Sequence, residues 1–208
     1  YYVAMELIAG GELFEHFLRS GVYNEDEASN FFKQYGEAIK YIHSKGVVHG
    51  DLKLENIMMS SHDSKKAQLK VVDFGSAVSM DEHPVDQPEW PGTLAYWPPE
   101  MFSNAKKRIT PKMDMFATGI IMYILLTGTH PFDPSGKATD KELEITIRSI
   151  RRIEMLEILV FDRRTDHMTD DAKNVLRSLL HPDPDHRMTS EEFLLHPWVQ
   201  GSISTVEA

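Results

Sequence analysis

Apolar positions recur along this chain in two periods, and each predicts a different element. Ala28, Phe31, Phe32, Tyr35, Ile39 and Ile42 fall three or four apart, which predicts a helix with one buried face. Asn24 with Glu27 three positions on reads as its N-terminal cap, and Gly46 as its stop. Thr169 opens a similar helix carrying Ala172, Val175, Leu176, Leu179 and Leu180 on one side. Thr110-Pro111 starts a third, Lys112 to Leu126, whose nearly unbroken apolar run predicts a rod through the middle of the domain. Glu12 to Leu18, Asp140 to Ile150 and Arg151 to Leu159 also read as helical, and a capping box from Thr189 to Glu192 begins a last helix ending at His196-Pro197-Trp198. Shorter β-branched runs predict strands at Val47-Val48, Ile57-Met58-Met59 and Leu69 to Val72. Tyr1 to Ile8 reads as another strand, broken by Ala9-Gly10-Gly11. The fold class is mainly α with short β-strands.

Between these elements lie two polar stretches. Ser60 to Gln68 reads as a hairpin loop. Asp73 to Glu100 is loop-like, with Pro84, Pro88, Pro91, Pro98 and Pro99, and a loop of that length inside a compact domain points to function. Composition narrows the partners. The 208 residues are 41% hydrophobic, enough for a sizeable core, and carry a net charge of −10. That balance argues against nucleic acid or an anionic membrane as partner and suits a basic peptide. The absence of cysteine excludes disulfides and thiol metal sites and is compatible with a reducing compartment. The run Phe116 to Leu126 is too short to cross a bilayer, and no targeting region precedes the first apolar residues. The chain opens on Tyr1 rather than Met, so it is expected to be a piece of something longer.

Candidate chemistry concentrates in His49-Gly50-Asp51-Leu52-Lys53-Leu54-Glu55-Asn56, clamped between two of the strands, and in Val71-Val72-Asp73-Phe74-Gly75, 22 positions on from Asp51 (73 minus 51). Two carboxylates and an amide on strand ends are what a site needs to place a hydroxyl nucleophile and hold Mg²⁺ against phosphate oxygens. Taken singly, Asp-Leu-Lys reads as a solvated turn and Asp-Phe-Gly as a β-turn. His49, flanked by apolar residues, reads as a packing and hydrogen-bonding histidine rather than a base. Asp114 sits in the first turn of its helix, where the dipole favours an anion. The arginine run Arg148, Arg151 and Arg152 reads as a solvated face, and His16 as a surface histidine.

Together these motifs resemble the eukaryotic protein kinases, whose catalytic loop reads H-R-D-L-x-x-x-N and whose metal loop reads D-F-G. The resemblance runs over nearly the whole chain and is nearest to the serine/threonine calcium/calmodulin-dependent group, from Gly-Gly-Glu-Leu-Phe and His-Pro-Trp-Val. It implies a protein-kinase-like fold: residues 1–11 as the end of an N-lobe strand and the hinge, 12–199 as the helical C-lobe and 200–208 as a tail. The catalytic loop would be 49–56 and the activation segment 73–100. It also implies ATP and Mg²⁺ as cofactors and a protein or peptide substrate. Asp51 would accept the substrate hydroxyl proton, Lys53 would meet the transferred phosphate, and Asn56 and Asp73 would hold the metal. Thr93 would bond to Asp51 and Lys53, Glu100 would pair with Arg187, and Asp114 would accept backbone hydrogen bonds from the catalytic loop. Met5 would be the gatekeeper, and the backbone of Glu6 and Ile8 would bond adenine. Glu12 would face ribose or a basic substrate residue, and Met58 would floor the adenine pocket. Glu12 and Glu55 suggest substrates with arginine or lysine near the acceptor.

The sequence departs from the family at three places. It has no glycine-rich loop, no V-A-I-K lysine and no partner glutamate, so the N-lobe is missing and the polypeptide alone is expected not to turn over. Gly50 stands where the family has arginine, which normally pairs with an activation-loop phosphate. With Asp81, Glu82, Asp86 and Glu89 nearby, this suggests an enzyme not switched by phosphorylation there. Leu54 replaces the usual proline and Pro98 the usual alanine, and Pro98 bears on how the residue after the acceptor docks. A pseudokinase or scaffold without catalysis is the alternative reading. A cytoplasmic location is expected. Calmodulin is a possible partner, but no basic amphipathic segment follows Trp198 to support it.

Overall fold

The computed structural model describes residue 2 and residues 4–62, 67–80, 92–102, 109–150 and 152–202. Asp81, Glu82, Asp86, Glu89, Arg151 and the start of the chain at Tyr1 lie outside the described residues, as does the tail beyond residue 202.

The architecture is helical with four very short strands among the described residues, in keeping with a kinase-like helical lobe. Its helices are α1 (Leu13–Ser20), α2 (Glu25–Ser44), α3 (Pro111–Thr127), α4 (Asp140–Ser149), α5 (Ile153–Val160), α6 (Asp170–Leu179) and α7 (Ser190–Leu195). The strands are β1 (Val47–Val48), β2 (Ile57–Met59), β3 (Leu69–Val71) and β4 (Val78–Ser79). They form two antiparallel ribbons, β1 with β4 and β2 with β3.

The expected capping boxes hold, while Thr110 stands at the N-cap of α3 without a side-chain cap bond. Asn24 accepts from the Glu27 amide while the Glu27 carboxylate returns to the Asn24 amide, and Thr189 with Glu192 does the same for α7. Pro111 takes the first position of α3, and Gly128, left-handed at φ 80°, ends it. α3 is the central rod: from Met113 to Leu126 nearly every residue is buried. It meets the end of α6 at Gly119, where a Cβ would come within 2.7 Å of the Leu180 side chain. On α2, Phe32 packs edge-on against Phe193 and beside Trp198, and Tyr35 reaches Thr118 on α3 through its hydroxyl. Glu25 pins three elements together, its carboxylate accepting from the Thr169 amide and hydroxyl (2.7 Å each) and from the Trp198 indole (2.8 Å).

Two expectations need correction. The described part of Tyr1 to Ile8 is not a strand; Tyr2, Met5 and Leu7 are exposed, because no strand pairs with this segment among the described residues. The two helices expected to abut at Ile150 and Arg151 are instead separated. Ile150 turns inward and is fully buried, and α5 starts only after Arg152, whose backbone is extended.

Candidate active site

The chain leaves α2 after Ser44, turns at Gly46, runs through β1, and reaches Asp51 held from below. The Asp114 carboxylate, in the first turn of α3 and 2% exposed, accepts from the amides of His49 (2.8 Å) and Gly50 (3.0 Å) and from His43 Nε2 (2.9 Å). A buried carboxylate needs such donors. This fixes the backbone on both sides of the His49–Gly50 peptide. Gly50 itself is left-handed, at φ 78°, a conformation glycine adopts without a Cβ penalty.

His49 joins the loop to the next strand. The Asp51 amide donates to its Nδ1 (3.3 Å), so the ring hydrogen sits on Nε2 and is donated to the Val72 carbonyl (3.0 Å). Fully buried and against the Phe74 ring at 4.9 Å, it packs and bonds as the sequence suggested.

Three of the expected site residues, Lys53, Asn56 and Thr93, converge on the carboxylate of a fourth, Asp51. Asp51 Oδ1 accepts from the Thr93 amide (2.9 Å) and hydroxyl (2.8 Å), while Oδ2 accepts from Lys53 Nζ (2.9 Å) and Asn56 Nδ2 (3.3 Å). Lys53 also donates to the Thr93 hydroxyl (2.9 Å), and Asn56 Nδ2 to the Asp51 carbonyl (2.8 Å). The ammonium and carboxylate are largely enclosed, with 22% and 10% of their side chains exposed, so their attraction is screened less than at the surface.

Register brings Asp73 to the same end. β2 and β3 pair Ile57 with Val71, and the Val72 amide donates to the Asn56 carbonyl (3.0 Å), so Asp73 follows directly opposite the end of the catalytic loop. Asp73 has a left-handed backbone, φ 62°, the one non-glycine residue with positive φ among those described. Such a conformation is costly for an aspartate and concentrates at functional positions. Its carboxylate is exposed and accepts from the Gly75 amide (3.2 Å). These residues fit Mg²⁺ in kind: the exposed Asp73 carboxylate and the amide oxygen of Asn56, whose nitrogen is turned to Asp51, could supply the few hard oxygen ligands that the ion takes from protein.

The same ribbon carries the nucleotide-side candidates. The Met59 amide donates to the Gly11 carbonyl (2.9 Å), and Glu12 bridges to Met58. Gly10 permits this approach, since a Cβ there would lie 2.1 Å from the Met59 carbonyl oxygen. The Glu6 carboxylate meets Lys70 Nζ at 2.8 Å through both oxygens, and Lys70 is the register partner of Met58. Glu6, Glu12 and Met58 thus sit along one ribbon, with Ile8 half-buried beside them in sequence. Met5 is 84% exposed.

Beyond Thr93 the segment is fastened twice more. Burial pushes the Tyr96 hydroxyl above its ordinary range, and the charges of Glu55 and Asp51 push it the same way. Arg187 donates through Nη1 and Nη2 to the two oxygens of Glu100. No local pattern announces His43 on Asp114, or His130, which reaches the Ala95 carbonyl from 35 residues away.

Comparison with known proteins agrees with this geometry. The protein kinase domain family matches residues 1–199. "Serine/threonine-protein kinase PKZ1" of Phytophthora infestans is 34% identical over 224 residues, covering 100% of this chain and 53% of that protein. "Calcium/calmodulin-dependent protein kinase type IV" of Homo sapiens is 37% identical over 203 residues, covering 97% of this chain and 40% of that protein, and its Rattus norvegicus counterpart is 36% identical. The chain thus spans about half or less of the length of these relatives. By that family match it belongs to the protein kinase domain family, and it is similar to serine/threonine kinases, among them one of the calcium/calmodulin-dependent group.

Proposed function

We propose that the protein carrying this chain transfers the γ-phosphoryl group of ATP to serine or threonine hydroxyls of protein substrates. The observation that supports the reading best is the convergence of Lys53, Asn56 and Thr93 on Asp51. A substrate hydroxyl hydrogen-bonded to Asp51 would give its proton to that carboxylate as its oxygen bonds to the γ-phosphorus. The bond from that phosphorus to the bridging oxygen breaks, and ADP leaves. The Lys53 ammonium, already beside Asp51, would meet the charge on the transferred group, and Thr93 keeps the carboxylate oriented. Mg²⁺, when bound by Asn56 and Asp73, neutralises phosphate charge. Catalysis of this kind is mostly positioning and electrostatics.

ATP would lie along the β2–β3 ribbon, with adenine against the backbone of Glu6 and Ile8 and over Met58, and ribose near Glu12. Glu12 and Glu55, in a chain of net charge −10, favour substrates with basic residues near the acceptor. This activity belongs in the ATP-rich cytoplasm. No helix among the described residues is long and apolar enough to cross a membrane. The test is Asp51→Asn in the full natural protein. Phosphoryl transfer should fall by roughly 10²- to 10⁴-fold with nucleotide affinity retained, the size expected for losing a general base. Unchanged turnover would reject the assignment and favour a binding module.

A further inference from the structure

α7 lies directly on α2. Gly36 makes the approach possible, since a Cβ there would stand 2.9 Å from the Leu194 side chain and 3.0 Å from that of Phe193. His43 follows seven residues further along α2, two turns on and on the same face. That brings its ring to the first residue of α7, Ser190, whose hydroxyl oxygen lies 3.2 Å from His43 Nδ1. The helix does not need this hydroxyl as a cap, because Thr189 and Glu192 already form the capping box.

Both groups are enclosed: Ser190 is 2% exposed and the His43 side chain 5%. On the other side of the ring, Nε2 lies 2.9 Å from Asp114 Oδ2. A carboxylate only accepts, so Nε2 carries a hydrogen and donates it. Nδ1 can then present either a lone pair or an N–H, and a hydroxyl serves both, donating to the first and accepting from the second. When it accepts, its own hydrogen has the Glu191 carboxylate, 3.2 Å away, to go to. Ser190 therefore holds the ring in either state, with Nε2 aimed at Asp114. Asp114 in turn takes the His49 amide on the same oxygen (2.8 Å) and the Gly50 amide on the other (3.0 Å), and the next residue is Asp51. A buried line of hydrogen bonds thus runs from the last helix to the residue before the proposed base. Misplacing a reacting group by about 1 Å can cost roughly 10²-fold in rate.

We propose that Ser190 is a positioning residue for phosphoryl transfer: through His43 it keeps the Asp114 carboxylate turned to the His49–Gly50 peptide, and so sets where Asp51 stands. The inference rests on the kinase reading above.

The test is a double-mutant cycle in the full natural protein, well below each variant's melting temperature, with a serine peptide carrying two arginines before the acceptor. Ser190→Ala removes the hydroxyl and adds no bulk. Its kcat should fall about tenfold, the size of one buried hydrogen bond, with KM for ATP and for peptide unchanged. His43→Gln places an amide donor near the position of Nε2, so Asp114 keeps its third donor without help from Ser190. That variant should retain kcat within about threefold, and adding Ser190→Ala to it should cost less than about twofold more. A general loosening of α7 would cost the same factor in both backgrounds. That result, or a kcat for Ser190→Ala within about twofold of wild type, overturns the inference. Hydrogen exchange gives a readout independent of activity, because the His49 and Gly50 amides both donate to Asp114. They should exchange faster in Ser190→Ala but not in the double variant, and equal rates in Ser190→Ala and wild type overturn the inference. A wild-type protein that phosphorylates no peptide, yet shows the exchange difference, rejects the kinase reading and leaves the hold of Ser190 on the loop in place.

Discussion

Arg187 sets Nη1 and Nη2 on the two oxygens of Glu100, at 2.7 and 2.9 Å, with its own side chain fully enclosed. The same guanidinium donates to the carbonyls of Lys112 and His181 and stacks over Phe116 at 4.9 Å, so one residue ties the segment around Glu100 to α3 and to the turn before α7. A lysine cannot reproduce a planar bidentate fork. Arg187→Lys should therefore cost about 2–4 kcal/mol, somewhat less than the roughly 3–5 kcal/mol for removing one partner of a buried pair, because the charge is kept. In a chain of this size that is a fall in melting temperature of roughly 5–15 °C. A shift under about 2 °C would mean the pair contributes little.

Gly10 carries a steric prediction. A Cβ there would meet the Met59 carbonyl at 2.1 Å and the Ser61 backbone at 2.6 Å, and backbone atoms on a paired strand cannot move aside cheaply. Gly10→Ala should push the Gly11–Glu12 segment off β2, cost at least about 1–3 kcal/mol as overpacking does, and raise KM for ATP more than KM for peptide. Titration with a fluorescent nucleotide analogue checks it; unaltered affinity would separate this segment from the nucleotide site.

Much of this arrangement was legible in the sequence because it is encoded locally. Asn24 with Glu27, the apolar stripe of α2, Pro111 and the unbroken run of α3 each announce an element within a few residues. The loop from His49 to Asn56 was legible because its acid, amine and amide fall within six positions, and the ribbon register then delivers Asp73. What stayed hidden depends on partners far along the chain. A β-like run such as Tyr1 to Ile8 becomes a strand only beside another strand, and its composition does not say whether one is there. His43 on Asp114, His130 on Ala95, and Glu25 beneath both Thr169 and Trp198 are pairings across 35 to 173 residues. No period or cap encodes them.

The neutral, half-buried His130 gives stability a defined dependence on pH. Its folded pKa, about 4, lies below the ordinary value of 6.5, so between those values the unfolded chain binds a proton that the folded chain refuses. Stability from this residue is fully present above about pH 6.5, declines as pH falls, and levels off below about pH 4, by on the order of 3 kcal/mol in all. Asp133, bridged to His130, and Tyr96, against its ring, also face the imidazole, so the comparison is made as a difference. Wild type minus His130→Gln, in urea denaturation from pH 7.5 to 4.5, should show wild type losing more stability toward acid. Parallel curves would place the histidine's proton elsewhere.

Gly50 leads to a prediction about control. Where the family carries arginine, the chain has a residue whose left-handed backbone is held by Asp114, and no side chain there can receive a phosphate. Thr93 is already bound to Asp51 and Lys53 by groups internal to the fold, and Glu100 to Arg187. The segment's anchored end is thus expected to need no phosphate to reach the Asp51 carboxylate. Treating the active natural protein with a broad phosphatase should leave its peptide kinase rate within about twofold, under 0.5 kcal/mol of barrier. A Gly50→Arg variant should lose about 1–2 kcal/mol of stability to the left-handed backbone alone. Abolition of activity by the phosphatase, traced to a phosphorylated residue between 76 and 93, would show that the missing arginine has been replaced by another phosphate receptor.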